Sequence, residues 1–365
     1  MTNRLDPNCV EGGYGVVLSI ILVANQRSSV TVHTVYDDVD CDPQTGQWRA
    51  KRLTETPIVH AGLDSSIGVN IQGPSLIRVP DWIANPLGRY YLYFADHKGS
   101  FIRLAYADEI TGPWQIHPPG SLQLEQSYFP TEPIRPPVDL ELSTKKGPNQ
   151  LLHSQEYEGS APHIASPDVH VDHTERRIYM YYHGLLAFAK QRTRLATSRD
   201  GITFSAEEAV LCETYLRVTP FENEYLGMVM PGILYRLRHA RGPFSSGQRL
   251  FTENARHHAL LANRDRMFVF WTEVGEAPEH IKVSVIEQIT NEDAIEVKHL
   301  ASILKPEFEW EGTTAPNEPS VRSVAYGCVN QLRDPCIFVE DGRIYLLYAG
   351  GGESAIGVAE LVWVS

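Results

Sequence analysis

A short pattern recurs four times along this chain. It reads GRYYLYFADHKGSFIRLAYA at 88–107, RRIYMYYHGLLAFAKQRTRLATSRDG at 176–201, DRMFVFWTEVGEAPEHIKVSVIE at 265–287 and GRIYLLYAGGGESAIGVAEL at 342–361. Each copy has a polar turn, an alternating aromatic and aliphatic run, a loop, and a second alternating run. Alternation with a period of two marks half-buried β-strands. Each copy is also preceded by an apolar run that begins near a proline or histidine: GPSLIRV (73–79), SPDVHVD (166–172), HHALLAN (257–263) and DPCIFVE (334–340). The unit is therefore at least three antiparallel strands. Its recurrence every several tens of residues is the sequence mark of a propeller blade. A divergent fifth unit, TYLRVTPFENEYLGMVMPGILYRLRHARGPF, fills 214–244. The expected fold is all-β, a five-bladed β-propeller, with inner strands beginning near residues 73, 166, 214, 257 and 334.

The last unit has only three strands of its own before Ser365, so closure needs one more. The N-terminal part of the chain is expected to supply it and to close the ring. Residues 15–24 (GVVLSIILVA) are apolar but too short to span a bilayer, and they read as a β-strand. They follow an acidic, proline-containing stretch, which fits a signal peptide poorly. All 365 residues are expected in one propeller domain, with an interblade insertion at about 120–162. An insertion of that length either carries function or is a surface excursion.

The formal net charge of −13 argues against nucleic acid and against an anionic membrane surface as partners. Five scattered cysteines without a CxxC motif fit reduced thiols and a cytoplasmic protein better than a disulfide framework. The oligomeric state is not legible.

In a propeller the inner strands line a central channel, and their starts converge on one axis. Those starts are Gln72–Ser75, Ser166–Asp168, Glu213–Tyr215, Arg256–His258 and Arg333–Pro335. Three of the five stretches bring a carboxylate, and a fourth brings two histidines. Facing carboxylates suit glycosidic bond cleavage, in which one protonates the leaving oxygen and another activates water or attacks the sugar. Burial and like-charge proximity separate their pKa values and so their roles. His257 and His258 cannot both face the axis, because neighbouring strand residues point to opposite sides.

RDPCIFVEDGRIYLLYAG, together with GPSLIRVP…GRYYLYFA and SPDVHVD…RIYMYYHG, resembles the inner-strand motifs of the five-bladed glycosidases of glycoside hydrolase family 43 and its relatives in families 32, 68 and 117. The likeness covers most of residues 70–365, with the Asp-Pro motif in the last blade rather than the first. The resemblance implies a glycoside hydrolase acting on a carbohydrate, with Asp334 as base, Asp168 as the orienting carboxylate and Glu213 as acid. An Asp/His arrangement, with His257 or His258 as the acid, is the alternative within the same group. Substrate contacts are expected from Arg333, His257, His258, His163, His170, Gln72 and Trp82, with Trp310 as a further stacking candidate. No cofactor is required, and a calcium or other metal ion in the central channel is compatible with the family. Two rival readings stay open: a noncatalytic propeller that binds a glycan or protein, and a polysaccharide lyase with a His/Tyr/Arg site.

Overall fold

The computed structural model describes residues 41–142, 154–242, 244, 247–291 and 294–365. The apolar run 15–24, read above as a strand, lies outside the described residues. All the described residues fall in one unit, Val32–Ser365.

Two strands come first, β1 (Gln47–Arg52) and β2 (Val59–His60). The first blade is β3 (Gln72–Arg78), β4 (Tyr90–Ala95), β5 (Phe101–Ala107) and β6 (Gln115–Gln123). The second is β7 (Ile164–Asp172), β8 (Arg177–Ala187), β9 (Lys190–Ser198) and β10 (Ser205–Ala206). The third, from the divergent unit, is β11 (Arg217–Phe221), β12 (Glu224–Val229), β13 (Ile233–Leu237) and β14 (Gln248–Arg249). The fourth is β15 (Ala255–Asn263), β16 (Arg266–Glu273), β17 (Ile281–Glu287) and β18 (Glu296–Leu304). The fifth is β19 (Cys328–Glu340), β20 (Arg343–Gly352) and β21 (Ala355–Val364). Every sheet is an antiparallel meander whose first strand is innermost, and the fold is a five-bladed β-propeller.

Closure is made as expected, by a strand from the N-terminal side, and that strand is β1. It pairs antiparallel with β21, from Gln47 opposite Val364 to Arg52 opposite Ala359. Pairing covers the open edge of the last blade. Trp48 on β1 reaches across to the fourth blade, with its ring centroid 5.4 Å from Phe268 and 6.3 Å from Phe270. One strand thus ties the last blade to its neighbour.

The middle strands are buried on both faces, not one. In β4, Tyr91 and Tyr93 pack with Val169, Met180 and Tyr182 of the second blade. Tyr90, Leu92 and Phe94 turn the other way, onto Leu347 and Val358 of the fifth. Each blade is a wall between two cores, so alternation here separates one core from another rather than core from water.

The long connections are ordered onto the ring where they are described. The 120–162 stretch begins within β6 and later forms α1 (Gln155–Ser160), capped by Ser154, whose hydroxyl accepts from Tyr157 N at 3.2 Å. Glu158 on α1 accepts from Lys98 Nζ (2.9 Å, backbone oxygen) and from Ser323 Oγ (3.1 Å, carboxylate). Trp310 stacks on Tyr348, and its Nε1 donates to Glu55 O at 3.0 Å, so it is packed as structure and offers no sugar platform. Among the described residues no helix is long and apolar enough to cross a membrane.

Candidate functional site

Four inner strands break their regular backbone within their length, and in the third blade the break falls at Tyr215, two residues before β11. Gly73, Ser166, Tyr215, His257 and Asp334 have φ of 64°, 50°, 62°, 54° and 51°. The ladders slip at these points, between Gln72 and Ser75, Ala165 and Asp168, Arg256 and Ala259, and Arg333 and Cys336. Such bulges re-aim side chains, and three are followed by a proline that has no N–H to leave unpaired. A left-handed backbone in a residue other than glycine costs about 1–3 kcal/mol, and such strain gathers at functional sites. Glycine is required at position 73: a Cβ there would lie 2.8 Å from Ser166 Cα.

Asp334 is the centre of this layer and is 1% exposed. The Tyr215 hydroxyl donates to its Oδ1 at 2.6 Å, and His257 Nε2 stands 3.6 Å from the same oxygen. Its Oδ2 is buried and has no hydrogen-bond partner among the described residues. Burial pushes the Asp334 carboxyl up to about 6, and the Glu353 charge adds to the rise. The Tyr215 hydrogen bond, Arg217 and Arg333 pull the other way and lose. Burial, then Arg256 and Arg333, hold His257 well below the ordinary histidine range, so its ring is neutral. Burial and the Asp334 charge keep the Tyr215 hydroxyl protonated.

Further buried charges surround this centre. Arg333 donates through Nη1 to Glu353 Oε1 at 2.7 Å and through Nε to Gln331 Oε1 at 2.9 Å. Glu353 also accepts from Asn70 Nδ2 at 2.9 Å and lies 3.3 Å from His97 Nδ1. Burial works against its charge, but His97, Arg333 and Asn70 outweigh burial and hold Glu353 low. Arg256 forks onto Glu279, with Nε 2.8 Å from Oε1 and Nη2 on Oε2. Glu279 is ionised despite burial because Arg256 and Arg333 both face it.

Arg217 closes the layer from below. Its guanidinium lies 4.3 Å over the Tyr215 ring, and Nη1 donates to Pro167 O at 2.9 Å. Asp168 stands on this lower level: its Oδ2 accepts from Val218 N at 2.8 Å and lies 2.7 Å from His170 Nε2. Burial resists its charge, while His170, Arg217 and the Val218 amide lower its pKa. A cavity of about 580 Å³, lined by the later residues of all five inner strands, opens on this side of Arg217, away from Asp334.

The remaining expected site residues divide by position. Arg333 and His257 belong to the Asp334 cluster. Gln72 accepts from Ser166 Oγ at 3.1 Å in the same bulge layer, and its buried Nε2 has no partner among the described residues. His163 is held between Ala161 O and Gln191, and burial drives it down to about 3. His258 points from the axis onto Phe251, 5.6 Å between centroids, as strand alternation requires. Trp82 meets His173 at 5.3 Å, beyond the far end of β7. Glu213 accepts from the Tyr235 hydroxyl at 2.6 Å. Tyr235 is on the third strand of its blade, two ladder spacings or roughly 10 Å outward from the inner strand, so Glu213 is not drawn into the Asp334 cluster.

Sequence reasoning passed over Tyr215, Glu353, Glu279 and Arg217 as site residues. Tyr215 had a signal: counting back from the alternating run places it, not Glu213, level with Asp334. Glu353 and Glu279 enter from loops after second strands, where the inner-strand pattern gives no cue; the run Gly350–Gly352 before Glu353 was the available hint.

Among the described residues no three His, Cys, Asp or Glu side chains gather as metal ligands. The donors nearest the axis are one carboxylate and one imidazole, and Arg217, Arg256 and Arg333 are the cations facing them. This set does not fit a divalent cation.

No family model matches the chain. An uncharacterized protein of Acanthamoeba polyphaga mimivirus is 27% identical over 361 residues, covering 90% of this chain and 95% of that protein. Solved structures with a similar fold include a family 62 α-L-arabinofuranosidase from Podospora anserina in complex with cellotriose (TM-score 0.51, 11% identity, 88% of this chain and 99% of that one). A family 43 β-xylosidase/α-arabinofuranosidase from a compost microbial metagenome, in complex with xylotriose, gives a TM-score of 0.50 at 11% identity, over 87% of this chain and 95% of that one. The catalytic domain of a Coprinopsis cinerea family 62 α-L-arabinofuranosidase gives 0.50 at 11%, over 88% and 98%. These are glycoside hydrolases, and the likeness shows that this chain has their five-bladed fold.

Proposed function

We propose that the protein is a glycoside hydrolase whose catalytic carboxylate is Asp334. The observation that carries this reading is a buried carboxyl on left-handed backbone at the propeller axis, with one oxygen held by Tyr215 and the other unpartnered. The raised pKa brings Asp334 near the working pH, where a general base is most effective. Tyr215 holds Oδ1, so Oδ2 is the oxygen left to take a proton from water. Water then attacks the anomeric carbon as the glycosidic bond breaks, and the leaving oxygen takes up a proton.

His257 is neutral and its Nε2 lies only 3.6 Å from Asp334 Oδ1, so in this reading it positions the base, and because the Glu213 carboxylate is turned to Tyr235 the leaving oxygen takes its proton from solvent. Asp168 acts from below through its charge, which favours the Arg217 cation packed on Tyr215. Carbohydrate ligands in the similar folds support a sugar as substrate.

Purified protein incubated with a panel of aryl glycosides and neutral oligosaccharides tests the proposal. Release of sugar that Asp334→Asn nearly abolishes supports it; no release from any member argues for a binding propeller. With an active substrate in hand, His257→Ala should slow activated and poor leaving groups alike, and Glu213→Gln should leave both close to wild type. A second reading, uronide lyase chemistry, is favoured by the Tyr215–His257–Arg217 grouping. It predicts an ultraviolet-absorbing unsaturated product from uronate oligosaccharides and no reaction with neutral ones.

A further inference from the structure

The cavity of about 580 Å³ on the far side of Arg217 is outside the Asp334 cluster, and its walls are unlike a solvated channel. Its walls carry Ile77, Val169, Val171, Leu261, Ile337 and Val339. Ile77, Val169 and Leu261 are buried in the interblade cores, while Val171, Ile337 and Val339 are half-buried at the cavity; apolar surface left there gains nothing from water, and the cavity volume is within the ordinary range of ligand pockets, about 300–1,000 Å³. From Cys336 at the bottom to Glu340 at the rim is four residues of β19, a depth of roughly 13 Å. The rim is polar and exposed, with His173 and the Arg78–Glu340 pair (2.9 Å).

The bottom is polar and charge-balanced. Asp168 is held by His170 and the Val218 amide, and Arg217 lies beside it, 3% exposed, with Nε and Nη2 unpartnered among the described residues. A ligand anion would meet Asp168, and a ligand cation would meet Arg217. A hydroxyl suits both, donating to the carboxylate and accepting from the guanidinium or His170. We infer that this cavity binds a neutral amphipathic small molecule, an alkyl or aryl chain ending in a hydroxyl, with the chain along the strand walls and the hydroxyl at Asp168 and Arg217. The site does not depend on the glycosidase reading, since Asp334 is not among its lining residues.

The test uses the full chain and the neutral fluorophore N-phenyl-1-naphthylamine. Saturable fluorescence enhancement is expected, reversed by 1-decanol at about one-tenth the concentration needed for decanoate or decylamine, as one unmet charge costs at least a factor of ten. Val171→Trp and Val339→Trp, each filling the cavity from a half-buried wall position, should abolish the enhancement while the urea unfolding midpoint stays close to wild type. No saturable enhancement, enhancement undiminished in both variants, or preference for either ionic head group overturns the assignment. The head-group series is run on the unaltered protein, so a variant that fails to fold leaves the outcome decided.

Discussion

Asp334 lowers the stability of the protein as it ionises, and the size of that effect follows from its surroundings. Its carboxyl is moved from an ordinary 3.8 to about 6 by burial and by Glu353. Each tenfold change in the ionisation constant is worth about 1.4 kcal/mol, so a displacement of this size costs roughly 3 kcal/mol. The sign is fixed by proton counting. Between the two pKa values the folded state holds a proton that the unfolded chain has released, so stability falls as pH rises through that window. Above about pH 6 the full cost is present. Asp334→Asn removes the titration while keeping an oxygen for the Tyr215 hydroxyl. The variant should therefore gain on wild type as pH rises, by about 2–3 kcal/mol between pH 4 and pH 8, with most of the gain below about pH 6. Urea unfolding of both proteins across this range measures it. Whatever the amide itself costs is independent of pH and drops out of the trend. A difference that is flat with pH, or that shrinks, would refute a buried, charge-opposed Asp334.

Other perturbations probe the parts separately. Glu279→Gln strips Arg256 of its forked partner and leaves a buried charge, and should cost about 3–5 kcal/mol in urea unfolding. Trp48→Ala removes the aromatic contact that ties β1 to the fourth blade, and should cost about 3–5 kcal/mol, read as a lower thermal midpoint. Gly73→Ala forces a Cβ within 2.8 Å of Ser166 Cα at positive φ, and should lower the urea midpoint at every pH. Tyr215→Phe deletes the hydrogen bond that lowers the Asp334 pKa, so the pH window of the Asp334 effect should move upward in the same urea measurements.

The five inner strands were legible because apolar alternation and the Gly-Pro, Ser-Pro and Asp-Pro steps mark them directly. The same steps gave the height of the bulge layer, and with it Asp334. Burial on both blade faces was not legible: a strand facing two cores and a strand facing core and water share the same period when the second face is aromatic, as Tyr90 and Tyr91 illustrate. The closing strand was legible only as coming from the N-terminal side, not as β1 itself, because an outer strand needs only pairing and one anchor, here Trp48. The distance of Glu213 from the axis was hidden for another reason. Strand order says which blade a residue precedes but not how far the incoming connection has travelled toward the centre. Glu353 and Glu279 came from second-strand loops, and only the folded ring brings those loops to Arg333.

Whether Asp334 performs chemistry at the propeller axis is decided by pairing catalysis with binding on one variant. The rate of glycosidic bond cleavage by Asp334→Asn is measured beside its affinity for the same oligosaccharide by calorimetry, both against wild type. A catalytic Asp334 predicts cleavage reduced by at least about a thousandfold, some 4 kcal/mol of barrier, with affinity within a few-fold of wild type. Cleavage that survives the substitution, or affinity lost together with it, contradicts a catalytic role for Asp334.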